Sequence, residues 1–207
     1  MTPEFAAAFD PALLEVLALA DRARSGTAGS FDQEQARVRG AIDRGASRMP
    51  GSRAKDWELA SYALASLADE LFIAEIAWPG QSWWENHALE VTVFGTRDRA
   101  TKFFDRAEQA AGLGSRDALE AFMLAVVLGF RGMFRDQPEA LTAWLRRQEQ
   151  LVKVGQGRPA LPDVAPDLSG APPLSGRTSL IWASLATALA LACAVVTLGA
   201  AVWRAAG

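Results

Sequence analysis

Two adjacent carboxylates, Asp69 and Glu70, interrupt an otherwise apolar stretch of the chain. Paired carboxylates can act as general acid and base, but neighbouring helical positions point about 100° apart, so these two would not face each other across a cleft. Carboxylates are rarely buried without partners, and we expect at least one at the edge of the core or beside a cation such as Arg97, Arg131 or Arg135. Two interpretations stay open: a structural ion pair or cap, and an acidic contact that docks a partner.

Three tryptophans, Trp78, Trp83 and Trp84, cluster around a Trp-Pro-Gly turn in a chain that contains seven. Tryptophan is enriched at the energetically dominant positions of interfaces, although core packing is its more frequent role. We predict these three, together with the acidic pair, as partner-binding residues. The single histidine, His87, fits an ordinary surface or half-buried side chain better than a catalytic base.

The sequence lacks the motifs of the common catalytic and nucleotide-binding classes. It contains no Gly-x-x-x-x-Gly-Lys phosphate loop, no Gly-x-Ser-x-Gly elbow and no His-Glu-x-x-His zinc motif. Its single cysteine, Cys193, cannot form an internal disulfide, and a net charge of −3 does not supply the clustered basic face of a nucleic-acid binder. We therefore predict a protein that is not an enzyme and that uses no cofactor, metal or nucleic acid.

The segment 178–203 contains no Asp, Glu, Lys or Arg and lies between Arg177 and Arg204. As a helix it would extend about 39 Å, enough to cross a hydrocarbon core of about 30 Å with some tilt. Trp182 and Trp203 stand near its ends, where interfacial aromatic residues are common. We predict a transmembrane helix, with a buried helix of a soluble core as the alternative.

The predicted span divides the chain into a helical domain (1–154), a proline- and glycine-rich linker (155–177), the span (178–203) and a short tail (204–207). An export signal would have a basic region followed by an apolar one, and the N-terminus does not show this pattern. We therefore expect a single-pass protein whose residues before the span lie in the cytoplasm. Alanines recur every fourth residue in the span and would permit close packing with another helix, including a second copy of the chain.

Start and stop signals predict helices throughout the first domain and no β-strand. Asp10-Pro11 indicates the start of the first helix, Ser30 and Gln33 indicate a capping box, and Pro50 indicates the end of the second helix. The third and sixth helices are apolar on most sides, which is typical of central, buried helices. The predicted helices cover about residues 11–24, 31–49, 54–77, 83–93, 97–111, 115–135 and 138–154.

Several motifs in this helical region resemble, in the same order, those of the DotU/TssL (IcmH) family. Together they span about residues 62–134, and the predicted anchor extends the likeness. The motifs are Tyr62-Ala-Leu-Ala-Ser-Leu-Ala-Asp-Glu-Leu-Phe72, Trp78-Pro-Gly80, Trp83-Trp84, Leu89-Glu90, Phe94-Gly-Thr-Arg97, Phe103-Phe104 and Leu128-Gly-Phe-Arg-Gly132.

This resemblance implies an all-α cytoplasmic domain of two small helical bundles in a hook-like arrangement, followed by a single C-terminal transmembrane helix. It further implies an inner-membrane scaffold subunit of a type VI secretion system. The partners implied are an IcmF/TssM-like membrane protein, indirectly a TssJ-like lipoprotein, and TssK/TssE-like baseplate proteins. The family's acidic pair, which lies in the cleft of that domain, falls on Asp69 and Glu70.

The chain departs from the family pattern at two places. Arg99-Ala-Thr101 stands where the family often has Ala-Gly-Glu, and Phe122-Met123 stands where it often has two tyrosines. Two alternative functions stay open. One is a Dot/Icm-like type IV secretion subunit that stabilises its IcmF partner, and the other is a tail-anchored enzyme that uses Asp69 and Glu70.

Overall fold

The computed structural model describes residues 1–156, which form helices and turns and contain no β-strand. The prediction of an all-helical domain is thereby confirmed. The α-helices of this part are α1 (Pro3–Ser25), α2 (Phe31–Arg48), α3 (Ala54–Glu70), α4 (Gln81–Asn86), α5 (Leu89–Phe94), α6 (Arg99–Ala111), α7 (Asp117–Val127) and α8 (Pro138–Gln156). A π-helical turn, Leu71–Glu75, follows α3, and short 3-10 turns occupy Gly51–Arg53 and Gly132–Phe134.

The C-terminal predictions fall mainly beyond the described residues. Helix α8 continues to Gln156, so the first two residues of the predicted linker 155–177 are helical. The rest of that linker, the predicted span 178–203 and the tail 204–207 lie outside the described part. Within residues 1–156, no helix combines the length and the hydropathy that crossing a membrane requires.

Helix α3 is the centre of the domain. The hairpin of α1 and α2 packs against it, and so do α5, α6 and α7. The composition of α3 explains this position, because a helix that is apolar on most sides has to be covered on all of them. Accordingly, nearly every residue from Leu59 to Phe72 is buried. The central role predicted for the third helix agrees with this arrangement, and α7 is its main partner.

Helix α1 begins well before its predicted start. Thr2 precedes the first turn, Pro3 occupies it, and Pro11 lies inside the helix rather than at its beginning. A proline within a helix leaves the carbonyl of the residue four positions earlier without its hydrogen bond. Here the guanidinium of Arg48 donates to that carbonyl, the oxygen of Ala7, at 3.3 Å, and this contact from α2 satisfies the oxygen.

The predicted capping box at α2 is wrong. Ser30 is the residue before the helix, but its side chain makes no capping hydrogen bond. The buried carboxylate of Glu34 instead accepts the N–H of Gly29 at 2.9 Å and two bonds from Arg22 on α1, at 3.1 and 2.6 Å. Burial raises the pKa of Glu34, but the Arg22 and Gly29 hydrogen bonds outweigh it and the net pKa is lowered.

Helix α7 ends at Val127, earlier than predicted. Gly129 and Gly132 adopt φ values of +129° and +49°, which a helix cannot accommodate and other residues rarely adopt. The chain thereby turns Phe130 into the core, where its ring stacks on Phe103 with centroids 3.8 Å apart. The tight turn also brings the backbone of residues 131 and 132 to the end of α3.

Candidate partner-binding site

The acidic pair lies at the point where α3 changes from α-helical to π-helical geometry. Glu70 is the last α-helical residue, and the π turn continues to Glu75 before the N–H of Ile76 bonds the carbonyl of Leu71 at 2.8 Å. A π turn inserts a residue into the helical repeat and is frequent at functional sites. Asp69 and Glu70 are directed to opposite sides, one toward α4 and α5 and the other toward α6 and the turn after α7.

Asp69 is fully buried and serves as an acceptor inside the domain. Its carboxylate receives the indole N–H of Trp84 at 2.8 Å and the backbone N–H groups of Leu89 and Glu90, each at 2.8 Å. Burial raises the pKa of Asp69 to about 6, against the opposing effect of these three hydrogen bonds. The residue therefore fastens α4 and α5 to α3.

The Asp69 contacts explain why the predicted helix over residues 83–93 is in fact two helices. The break falls at His87 and Ala88, immediately before the two N–H groups that the carboxylate accepts. An acidic group at a helix start satisfies orphan donors and is favoured by the helix dipole. Since this carboxylate comes from residue 69, the local sequence of the broken helix does not reveal it.

Glu70 is nearly buried but is paired with cations. Its carboxylate lies 2.7 Å from a terminal nitrogen of Arg135 and 3.6 Å from Nε of Arg99. It also accepts the backbone N–H groups of Arg131 and Gly132, at 3.4 and 3.2 Å. The expectation that one acid would meet a cation is confirmed by Arg135. Arg131 contributes its backbone, and Arg99 is an additional cation that the sequence did not single out.

A cleft of about 300 Å³ opens over Glu70. Arginine side chains dominate its polar lining, and Asp69 is not among the residues that line it. The lining residues are Glu70, Ala74, Arg97, Asp98, Arg99, Ala100, Gly132 and Arg135. The two carboxylates therefore do not face a common cavity, as a general acid and base would need to.

The three tryptophans occupy different environments. Trp84 is fully buried against Phe72, and Trp78 is nearly buried, with its indole N–H donated to the carbonyl of Phe72 at 2.9 Å. Trp83 is only partly buried and stacks on His87 with ring centroids 4.3 Å apart. Of the three, Trp83 is the one whose ring is partly open to a partner in this structure.

Two further buried residues of this region, Glu90 and Tyr62, were not predicted as part of the site. Glu90 is buried, and its carboxylate accepts the hydroxyl of Tyr62 at 2.9 Å and the N–H groups of Asp98 and Arg99 at the start of α6, at 3.0 and 3.1 Å. The sequence signal for a buried Glu90 was its position between the apolar Leu89 and Val91. Burial raises the pKa of Tyr62, so its hydroxyl remains a proton donor to Glu90.

Within residues 1–156, no three His, Cys, Asp or Glu side chains are grouped closely enough to hold a metal ion. His87 lies at the surface, and its Nδ1 is 2.8 Å from the carbonyl oxygen of Trp83 one turn earlier. The arrangement at the end of α3 is therefore a set of helix-fastening carboxylates beside an arginine-lined cleft.

The family model described as Type VI secretion system protein DotU matches residues 4–204, nearly the whole chain. The chain belongs to the DotU family. This match includes the uncharged segment 178–203 as well as the helical domain. Members of this family are structural components of the type VI secretion system, and the family is not a known class of enzyme. No relative among curated proteins matches the sequence.

The fold of this DotU family member is also similar to a solved structure. The cytoplasmic domain of TssL from Acinetobacter baumannii superposes with a TM-score of 0.57 at 22% sequence identity. The likeness covers 70% of this chain and 96% of that domain. At this identity the comparison establishes a shared fold, and the roles of individual residues must come from the contacts described above.

Proposed function

We propose that this protein is a scaffold subunit of a type VI secretion membrane complex. In this proposal, segment 178–203 anchors it in the bacterial inner membrane and the helical domain docks baseplate components in the cytoplasm. Membership of the DotU family and the absence of a charged residue from that segment support the anchor. The observation that carries the docking role is the cleft over Glu70, an accessible concave site lined by charged side chains.

The proposed partners follow from membership of the family. They are an IcmF/TssM-like membrane protein beside the anchor, a TssJ-like lipoprotein held indirectly, and TssK/TssE-like baseplate proteins at the domain. A second copy of the chain is a further candidate neighbour of the anchor. A hook-like pair of bundles is also part of the proposal.

Within this function, the acidic pair divides into two roles. Asp69 has no exposed surface and acts by holding α4 and α5, so its contribution to docking is positional. Glu70 lines the cleft and holds Arg135 and Arg99, so we assign it the role of positioning the arginines of the docking site. Trp83 is assigned only a secondary contact, apart from the Glu70 cleft, because Trp78 and Trp84 are core residues.

The test uses the full chain in the native bacterium. A tagged protein carrying Glu70→Gln is recovered from washed membranes, and both its presence in the membrane fraction and the recovered partners are quantified. We expect the protein to stay in the membrane with its IcmF-like partner, and recovery of the TssK-like baseplate subunit to fall about tenfold, a loss of about 1.4 kcal/mol.

The matched control is Glu75→Gln. Glu75 binds the same Arg135 at 2.8 Å but is 36% exposed and does not line the cleft, so its removal should leave baseplate recovery unchanged. Unchanged recovery with Glu70→Gln would contradict the docking role. Loss of the wild-type protein from the membrane fraction would contradict the anchor.

A further inference from the structure

Two arginines in the Glu70 cleft have hydrogen-bonding capacity that the described residues do not use. Arg97 is exposed and donates one bond, to the carbonyl of Glu85 at 3.2 Å. Arg99 is four-fifths buried, and its Nε makes no hydrogen bond because the nearest carboxylate oxygen, on Glu70, lies at 3.6 Å. A guanidinium offers five donors in a planar fork, so both side chains can bind a further acceptor.

The charges that line the cleft leave an excess of one positive charge. Three arginines face it, against the carboxylates of Glu70 and Asp98. Arg135 is satisfied by Glu70 and Glu75, at 2.7 and 2.8 Å, and Asp98 accepts the hydroxyl of Thr101 at 2.7 Å. Two acids just outside the lining reduce this excess, because Glu75 pairs with Arg135 and the buried Glu90 accepts the N–H groups of Asp98 and Arg99 at the start of α6. The donors that remain open to a further acceptor are therefore those of Arg97 and Arg99.

A second groove adjoins this cleft at Arg135, which lines both. It has a volume of about 320 Å³, and its walls are mostly aliphatic. Val127 is 67% exposed there, one turn after Leu124, which is 37% exposed. The groove is lined by Val126, Val127, Arg131, Phe134, Arg135, Pro138, Leu141, Thr142 and Leu145.

We propose that the cleft and the groove together bind an acidic and aliphatic peptide segment of a protein partner. One carboxylate of the segment bonds Arg97 and Arg99, and an adjacent aliphatic side chain enters the groove beside Val127. The inference rests on the proposed docking function and specifies the chemistry of the segment that docks.

A peptide carboxylate fits better than a phosphate for two reasons. The carboxylates of Glu70 and Asp98 would repel a phosphate dianion more strongly than they repel the single charge of a peptide carboxylate. The neighbouring aliphatic groove also gives a peptide side chain a surface to cover, which inorganic phosphate cannot use.

The test measures binding of a fluorescein-labelled, acetylated peptide of glutamate and leucine to the full chain in detergent micelles, by fluorescence anisotropy. Peptides with glutamine or lysine in place of glutamate are the matched probes. We expect the acidic peptide to bind at least tenfold more tightly than either. Arg97→Ala and Arg99→Ala should each weaken it five- to tenfold, roughly the loss of one charged hydrogen bond.

The control variant is Arg147→Ala, because Arg147 is 63% exposed on α8 and pairs with Glu108 away from the cleft. An equal loss with this variant would mean nonspecific charge attraction and would overturn the site. Equal affinity for the three peptides, no binding of the acidic one at millimolar concentration, or displacement by equimolar phosphate would also overturn it. A fall in baseplate recovery in the Glu70 experiment beside any of these results would leave the proposed function standing while the peptide site fails.

Discussion

At the scale of single residues, Gly45 sets how closely α2 approaches its neighbours. A Cβ added at this position would collide with the ring of Trp57 on α3 and would lie 3.0 Å from the carbonyl oxygen of Ala8 on α1. Neither partner can move easily, since Trp57 is 4% exposed and Ala8 belongs to helical backbone. The absence of a side chain at Gly45 is therefore a packing requirement.

We predict that Gly45→Ala lowers the free energy of unfolding by about 1–3 kcal/mol, the usual cost of overpacking a tight core. Gly40→Ala in the same helix is the matched control. Its Cβ would meet only the end of the flexible Arg44 side chain at 3.3 Å, so the gain in helix propensity should leave the domain unchanged or up to about 1 kcal/mol more stable. Urea unfolding followed by circular dichroism measures both, and equal effects of the two substitutions would contradict the prediction.

Asp69 and Glu70 show that adjacent residues of similar chemistry can have unlike tasks. The first binds three uncharged donors in the interior, and the second binds two guanidinium groups at a cleft. One helical position rotates a side chain by about 100°, so the two carboxylates contact different neighbours of α3. The same rotation made a catalytic pair implausible from the sequence.

At the scale of elements, α1 carries a proline inside the helix that α2 compensates. The carbonyl of Ala7, which Pro11 leaves without its helical partner, is satisfied by Arg48 across the hairpin. The hairpin therefore depends on a contact between residues 41 positions apart in place of one local hydrogen bond.

We predict that Pro11→Ala stabilises the domain by about 1–3 kcal/mol, because alanine restores the helical hydrogen bond and removes the steric cost of proline. Arg48→Ala should destabilise the wild-type chain by about 1 kcal/mol and have a smaller effect in the Pro11→Ala background, since the carbonyl then has a local partner. Thermal unfolding of the wild type, the two single variants and the double variant gives the coupling free energy between Pro11 and Arg48.

Pro138→Ala is the control for this cycle. Pro138 occupies the first turn of α8, where its missing N–H would have no helical acceptor, so no comparable stabilisation is expected. Equal effects of Arg48→Ala in both backgrounds would show that the contact with Ala7 is not what compensates the proline.

The elements whose limits depend on nearby residues were predicted well from the sequence. Pro50 marks the end of α2, and Gly95, with φ of +67°, ends α5 as its position after Phe94 indicated. Two limits with local signals were nevertheless missed, the start of α1 at Pro3 and the end of α7 before Gly129, and a third missed limit depends on a distant residue. The break before Leu89 needs Asp69 on another helix, and a capping carboxylate 20 positions away leaves no local pattern.

The candidate site was predictable to a similar extent. An acidic pair within an apolar stretch required partners, and one of the three arginines named for it, Arg135, is bonded to Glu70. The contribution of Arg99 could not be inferred, because it depends on how the start of α6 approaches the end of α3. The burial of Trp84 likewise depends on the acceptor that Asp69 places in the core.

At the scale of the whole domain, buried carboxylates give opposing responses to pH. The pKa of Asp69 is raised to about 6 from its usual 3.8, so its contribution to stability is present below pH 3.8 and is lost as pH rises through about 6. The pKa values of Glu34 and Asp117 are lowered, despite burial, by hydrogen bonds from Arg22 and Thr2 among others. Their contribution is present above their usual values and is lost as pH falls through their folded pKa values.

We therefore predict that the stability of the domain is greatest near about pH 4.5, where most of the Glu34 and Asp117 contribution is present and little of the Asp69 contribution has been lost, and that it falls on both sides. The variant Asp69→Asn should be less stable at every pH, because its amide nitrogen cannot accept the N–H of Glu90. Its stability should nevertheless change less than that of the wild type between pH 5 and 7. Urea midpoints measured across pH 3–8 test this, and an unchanged slope in the variant would count against Asp69 as the titrating group.

The starts of several helices are held by carboxylates that belong to other helices. Asp69 of α3 holds α5, Glu90 of α5 holds α6, and Asp117 of α7 accepts the N–H and hydroxyl of Thr2 ahead of α1, at 2.6 and 2.7 Å. Helix ends are ordinarily the first places to fray, because their outermost amides have no partner within the helix. In this domain fraying at one helix also breaks a contact of another, so local opening is tied to opening of the whole and the fold should behave as one cooperative unit.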